Sequence, residues 1–386
     1  MSADIIRIGL LFSVSGSYRT IGRSMLNGAL LAFEEINADP DFPFQLEVVT
    51  ADPGGCNMRY AEAAGRMLSD ERLVHIVGCY TSSSRIEVLP FFEKHDGLLW
   101  YPSHYEGFES SEHVVYTGAA PNQHIVPLAE WLLTHCGDSA FFIGSNYIWA
   151  WENNKIMREA VLASGGEVLA ERYLPVGETE FSDLIDQIMT QRPSFVFNTL
   201  IGESAYAFFR QFREAAIAVG IDQPSDLPVA SCSLAEPELV EIGRRAAAGH
   251  ISSSVYFETV PGANNRQFLK RYQTSFPDAG PSCADVEASY VAMLLLARAI
   301  RAAGTAEMSA VRAAVADIAI DAPQGRVFVD PENRHCYLTP RIGVSNEDFG
   351  FDLIYQASGP IKPDPYLVWS EPRPAPYQQP QLRVVE

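Results

Sequence analysis

The sequence predicts an α/β fold of two lobes, each a parallel sheet with helices on both faces. Three observations carry that prediction. Short β-rich runs alternate with helical periods almost from end to end, the signature of consecutive βαβ units. The alternation runs once from residue 5 to residue 101 and begins again near residue 125. The 386 residues suffice for two or three domains, at about 150 residues each.

The elements follow in order. Ile5–Phe12 reads as a buried strand, and Leu26, Ala29, Leu30 and Phe33 then recur at the spacing of an amphipathic helix. Leu46–Thr50 is strand-like, and Ala61, Ala64, Gly65 and Leu68 repeat the stripe. Val74–Gly78 is the third strand, followed by Ser82-Ser83-Ser84, whose hydroxyls suit a helix N-terminus. Leu98–Tyr101 is the fourth. In the second series, Ile125, Leu128, Ala129 and Leu132 stripe a helix before the strand Phe141–Gly144. Phe181, Leu184, Ile185 and Ile188 do the same before Phe195–Leu200. Pro228–Ala230 and Ile251–Phe257 add strands, with helices over 264–275 and 284–303. From residue 320 the pattern changes. Asp321-Ala322-Pro323-Gln324-Gly325 is a turn, alternating strands run to about Gln356, and prolines at 360, 363, 365, 372, 374, 376 and 380 predict an extended tail.

Composition narrows the function. Hydrophobic residues make up 47% and aromatics 11%, enough for sizeable cores, which excludes intrinsic disorder. The net charge of −20 argues against direct nucleic-acid or anionic-membrane binding, since both need clustered positive charge. The longest apolar stretch, Tyr290–Ile300, is about half the ~20 residues that span a bilayer and carries Arg298, so no membrane span is expected. Met1-Ser2-Ala3-Asp4 leads into the first strand without a basic start or a cleavage site. That pattern favours a cytoplasmic address, or a periplasmic one if a signal peptide has been removed. The six cysteines form no CxxC pair and read as thiols; Cys56 and Cys79, each just beyond a strand, are the two placed to form a bridge.

In open parallel sheets, ligands bind beyond the carboxyl ends of the strands. Those ends read Cys79-Tyr80-Thr81-Ser82, Tyr101-Pro102-Ser103-His104-Tyr105-Glu106, Ser145-Asn146-Tyr147-Ile148-Trp149 and Ser231-Cys232-Ser233. They are rich in hydroxyls and aromatics and poor in charge, which suits a small, neutral, polar ligand. A primary amide has one acceptor oxygen and two donor hydrogens; Tyr and Ser hydroxyls answer both, and the N–H groups at the Ser82–Ser84 helix start can hold the oxygen. Aromatic walls leave room for only a short apolar tail. No GxSxG, HExxH, Walker A or GxGxxG motif occurs, and none of the eight histidines is paired at metal-ligand spacing, so a non-enzyme is expected. His104 is the histidine in the candidate pocket loop. Asp52 and Glu106 read as turn caps or cleft-edge residues.

Taken in order, the anchors Asp52-Pro53-Gly54-Gly55, Gly78-Cys79-Tyr80, Tyr101-Pro102 with Tyr105-Glu106-Gly107, Ala120-Pro121-Asn122-Gln123, Gly144-Ser145-Asn146-Tyr147-Ile148, Asp321-Ala322-Pro323-Gln324-Gly325 and Lys362-Pro363-Asp364-Pro365-Tyr366 resemble the type I periplasmic-binding-protein family. Within it, the likeness is to the amide- and urea-binding branch, which includes a ligand-sensing negative regulator of aliphatic amidase expression. The resemblance implies a bilobal fold of two Rossmann-like lobes joined by three crossover segments, near 118–122, 250–255 and 325–331. Lobe 1 would comprise 1–120 and 253–327, lobe 2 121–252 and 328–370, with 371–386 as the tail. It implies Tyr80, Ser82, Tyr101, Ser103 and Tyr147 as the amide pocket, with Trp149 and Ser233 beside them; His104 joins the candidate site from its place in the pocket loop, and no cofactor or metal is expected. This chain departs from the regulator at Ser103-His104 and Trp149-Ala150-Trp151, both on the pocket wall.

The leading expectation is therefore a cytoplasmic sensor of short aliphatic amides or urea that holds an RNA-binding antitermination regulator protein inactive. The alternative is the extracytoplasmic substrate-binding component of an ABC importer, with a permease as partner. An amidohydrolase is the third reading, and a homo-oligomer is compatible with each.

Overall fold

The hydrophobic runs of the sequence sort into two sheets in the computed structural model, which describes residues 4–369: the first is parallel throughout, the second parallel except for two antiparallel strands at one edge. The first lobe opens with β1 (Asp4–Leu11), α1 (Arg19–Ala38), β2 (Phe44–Ala51), α2 (Asn57–Ser69), β3 (His75–Gly78), α3 (Ser82–His95), β4 (Leu98–Tyr101) and β5 (Val114–Tyr116). Its strands are all parallel in the order β2-β1-β3-β4-β5. The second lobe holds α4 (Pro121–His135), β6 (Ser139–Ser145), α5 (Ile148–Ala163), β7 (Glu167–Leu174), α6 (Ser182–Gln191), β8 (Phe195–Thr199), α7 (Glu203–Ala218), α8 (Gln223–Asp226), β9 (Val229–Ser231), α9 (Glu236–Ile242), α10 (Arg244–Ala247) and β10 (Ile251–Ser254).

The chain then returns to the first lobe with α11 (Ala263–Ser275), α12 (Ala284–Ala303), α13 (Met308–Val315) and a small antiparallel sheet of β11 (Ala319–Ala322), β12 (Gly325–Val329) and β13 (Cys336–Tyr337). It finishes on β14 (Arg341–Ser345) and β15 (Phe351–Gln356), which extend the second sheet to the order β15-β14-β10-β9-β8-β6-β7.

Period-2 alternation explains why the strands of the first sheet are apolar on both sides. Leu98 and Trp100 of β4 join the core beneath α1 and α12, whereas Leu99 and Tyr101 join the core beneath α2 and α3. Each side chain so buried contributes roughly 1.5–3 kcal/mol relative to exposure. The α1–α12 contact depends on Gly28, where a Cβ would lie 2.2 Å from the Val286 carbonyl oxygen. Only a missing side chain lets the two backbones approach so closely.

One of the three crossings departs from the sequence reading. The first falls between β5 and α4, within residues 117–120. The second falls after Ser254, because Ile251–Ser254 is a strand of the second sheet while Val255 and Tyr256 already belong to the first core. The third is not at 325–331. Val327, Val329, Cys336 and Leu338 are buried in the first-lobe core, and the chain leaves only between Leu338 and Arg341. The alternating pattern there builds a separate three-stranded sheet rather than marking a change of lobe. Lobe 1 accordingly extends about ten residues further than the expected 327, and the 371–386 tail lies outside the described residues.

Candidate functional site

The carboxyl ends of both sheets face one another, and the loops that follow them enclose a cavity between the lobes. It is lined by Tyr80, Thr81, Ser82, Ser103, His104, Tyr147, Trp149, Ile201 and Ser233. Seven of the eight residues expected from sequence are among them; Tyr101 is not. The Tyr101 hydroxyl instead donates to the Tyr80 carbonyl at 2.8 Å, so this residue holds the wall from behind. The space left at the centre is about 10 Å3, room for one water-sized group, so a larger ligand requires movement of the lobes or of a wall residue.

Local structure explains the wall. Cys79 takes a left-handed backbone (φ 64°) at the end of β3, which turns Tyr80 and Thr81 into the cleft. Thr81 caps α3, its Oγ1 accepting from the Ser84 N–H at 3.2 Å, while the N–H groups of Ser82 and Ser83 in the first turn have no intrahelical acceptor. On the other lobe, Tyr147 is the N-cap of α5 and its ring stacks on Trp149 at 6.2 Å and 22°. His104 meets the Trp149 ring edge-on at 5.5 Å.

The hydroxyls are polarised by what lies behind them. Ser82 Oγ donates to Glu106 Oε2, and Ser103 Oγ donates to Asp285 Oδ1 at 3.1 Å. A hydroxyl that has given its proton to a carboxylate has only lone pairs left for a ligand. Glu106 is itself fixed by Arg85, whose NH2 lies 3.3 Å from Oε1. Arg85 is fully buried, pairs with Glu109 at 2.7 Å, and lies over the rings of Tyr101 and Tyr105 at 4.8 and 4.6 Å. Glu106 is thus more than the cleft-edge residue expected from sequence, whereas Asp52 is a turn cap, accepting from Val14 and Gly54 N–H.

Further acids surround the cavity. Burial pushes Asp285 up to about 7, opposed by its bond from Ser103. Burial also pushes Glu238 up to about 8, although it accepts from the Ala235 N–H and the Tyr206 hydroxyl. Tyr80 is held well above its ordinary value, first by burial and then by Glu238 and Asp285, and so remains a hydroxyl donor. His104 is pushed down to about 3 by burial and by His124, and is neutral. No Lys or Arg lines the cavity. Among the described residues no cluster of three or more His, Cys, Asp or Glu is placed to hold a metal ion.

Sequence reading missed Asp285, Glu238 and Tyr206. Asp285 sits in the first turn of α12, 182 positions beyond the serine it binds, and only the return of the chain to lobe 1 brings the two together. The one available signal was its place at the start of a strongly apolar helix.

Known proteins share this architecture. A Leu/Ile/Val-binding protein homolog from Brucella abortus (strain 2308) is 21% identical over 343 residues, which is 86% of this chain and 85% of the relative. A solute binding protein of an ABC transporter from Rhodopseudomonas palustris HaA2, solved with p-hydroxybenzoic acid, superposes with a TM-score of 0.84 at 19% identity, covering 95% of this chain and all of that one. The leucine binding protein LivK of Thermotoga maritima MSB8 gives a TM-score of 0.79 at 17% identity, covering 91% of this chain and 98% of the other. Residues 6–372 match the pattern of the periplasmic binding protein domain, and the chain belongs to that family.

Proposed function

We propose that this protein is the substrate-binding component of an ABC importer, working outside the cytoplasm, and that its ligand is a small N–H-rich molecule of the amide or urea class. The observation that carries the ligand class is the polarity of the cavity. Ser82 and Ser103 present lone pairs, because each donates its proton to a carboxylate behind it. An amide or urea N–H meets those acceptors, and its carbonyl oxygen meets the N–H groups at the start of α3 and the hydroxyls of Tyr80 and Tyr147. An aromatic acid such as the one bound by the R. palustris protein brings a buried negative charge that no Lys or Arg in the lining offsets.

The transport role is supported by the family and by the solute binding proteins of ABC transporters among the similar structures. Calorimetry with urea, formamide, acetamide and butyramide against benzoate and leucine tests the ligand class. The amides or urea should bind and benzoate should not. Tighter binding of benzoate or leucine than of every amide would overturn the assignment.

The regulatory reading ranks second. Six free thiols, four of them buried, fit a reducing compartment, which favours a cytoplasmic sensor that sequesters an RNA-binding antitermination protein. Co-purification with such a protein, lost on adding acetamide, would move the assignment to this reading.

A further inference from the structure

The space between the lobes is divided in two. Beside the cavity described above lies a second chamber, also about 10 Å3, whose lining includes Gly118, Ala119, His124, Cys232, Asp285 and Ala288. It sits against the first and second crossings. Neighbouring residues feed different chambers: Pro102 faces the second and Ser103 the first, Cys232 the second and Ser233 the first. His104 alone lines both, so its imidazole is the wall between them.

That wall is not tethered. Among the described residues the His104 ring makes no hydrogen bond; its Nδ1 lies 4.0 Å from Asp285 Oδ1, and its ring contacts, with His124 at 5.6 Å and Trp149 at 5.5 Å, are edge-on. Contacts of this kind hold the ring by packing alone, so a change of rotamer breaks no hydrogen bond. The second chamber also carries polar equipment with no partner. His124 Nε2 lies 3.0 Å from the Tyr105 carbonyl oxygen, which can only accept, so Nε2 bears the proton and Nδ1 is a bare lone pair. Nδ1 is buried without a hydrogen-bond partner on a residue that is 1% exposed. A buried acceptor left unmatched is costly, and here it stands with the Asp285 carboxylate in a chamber otherwise walled largely by small residues.

We propose that His104 is a movable partition and that the second chamber is a distal subsite for the N–H-bearing far end of a longer ligand. The substrate class is then an amide or urea derivative with a short chain ending in an amine or a second amide. This rests on reading the first chamber as the ligand site. With the imidazole turned aside the chambers join, the head group stays between Ser82 and Tyr147, and the far end donates to His124 Nδ1 and Asp285.

Calorimetry with acetamide, pentanamide and 5-aminopentanamide on the wild type, His104→Ala and His124→Leu tests the proposal. In His104→Ala the affinity for 5-aminopentanamide relative to acetamide should rise at least tenfold. His124→Leu should reduce the preference for 5-aminopentanamide over pentanamide by a similar factor; if it does not fold, the His104→Ala ratio alone decides. Acetamide binding with an unchanged ratio overturns the distal subsite and leaves the first-chamber reading intact. If no amide binds either protein, the first-chamber reading is lost and a crystal structure of His104→Ala decides the partition. One continuous chamber supports it; Trp149 or Pro102 filling the vacated space overturns it.

Discussion

Replacing Glu106 by Gln tests whether the carboxylates behind the cavity set its polarity. Arg85 NH2 donates to Glu106 Oε1 at 3.3 Å, so the new amide must turn its oxygen toward Arg85. Its NH2 then faces Ser82 and donates to the hydroxyl that formerly donated to Glu106. Ser82 is left with a proton to give, and the nearest place for it is the cavity. One acceptor for an N–H ligand thereby becomes a donor. Losing such a hydrogen bond and facing donor to donor costs about 1–3 kcal/mol, which is about a 5- to 150-fold weaker Kd for acetamide at 1.4 kcal/mol per tenfold. A ligand with acceptors only, such as acetate, should gain from the same change. The fold should survive, because Arg85 keeps Glu109 at 2.7 Å and its two aromatic neighbours. Calorimetry of acetamide and acetate on both proteins is the assay, with Ser82→Ala as the control that removes the hydroxyl without reversing it. Acetamide affinity unchanged in Glu106→Gln, with no gain for acetate, would refute the reasoning.

Three further outcomes are expected. Tyr147→Ala removes a ring stacked on Trp149 and a hydroxyl at the cavity, roughly 2–4 kcal/mol together, so calorimetry should show amide binding weakened tenfold or more; equal affinity would remove Tyr147 from the site. Asp285, raised from 3.8 to about 7, and Glu238, raised from 4.5 to about 8, each keep in the folded state a proton that the unfolded chain has released. Their contribution to stability is complete below about pH 4 and is lost as pH rises through about 7 to 8, while five buried histidines held at about 3 to 4 act oppositely below about pH 6.5, so it is the Tm of Asp285→Asn relative to wild type that should rise between pH 5 and 9. A Tm difference between the two proteins that falls or stays constant over that range would contradict the assignment. Finally, all six cysteines are free, so reductant should leave the Tm unchanged; Cys56, whose thiol is held below its usual range by Arg59 N–H and guanidinium contacts, should react with a thiol reagent before any other. First labelling at Cys136 would count against that.

The fold was legible because its signals are local. The apolar run Leu98–Tyr101 marks β4 with its bounds unchanged, and the long apolar stripe over 284–303 is α12. Both are set by burial on two faces, which leaves a continuous hydrophobic trace in the chain. The elements that were missed leave weaker traces. β5 is three residues long and pairs only at the sheet edge, and β7, an edge strand of eight residues, has one buried residue, Ala170. The third crossing was misplaced for a related reason. Alternation over 325–329 signals a strand, and nothing in a strand's own sequence says which lobe its buried side faces.

The same distinction governs the site. Position beyond a strand end brought Tyr80, Ser82, Ser103, His104, Tyr147, Trp149 and Ser233 into one list, since that rule depends on topology alone. Tyr101 failed because it is the last residue of β4 and its side chain points with the strand's alternation into the core beneath α2 and α3. The chemical character of the cavity was not legible. The strand ends are uncharged, so the sequence described a neutral pocket; the carboxylates that fix its polarity come from Glu106 in the same loop, Glu238 on α9 and Asp285 on α12. None of the three lines the first cavity, yet two decide which way its serine hydroxyls point. On the proposed reading, specificity resides one layer behind the residues that line the cavity. A relative that keeps Ser82 and Ser103 while exchanging Glu106 or Asp285 should prefer a ligand of opposite hydrogen-bonding sense.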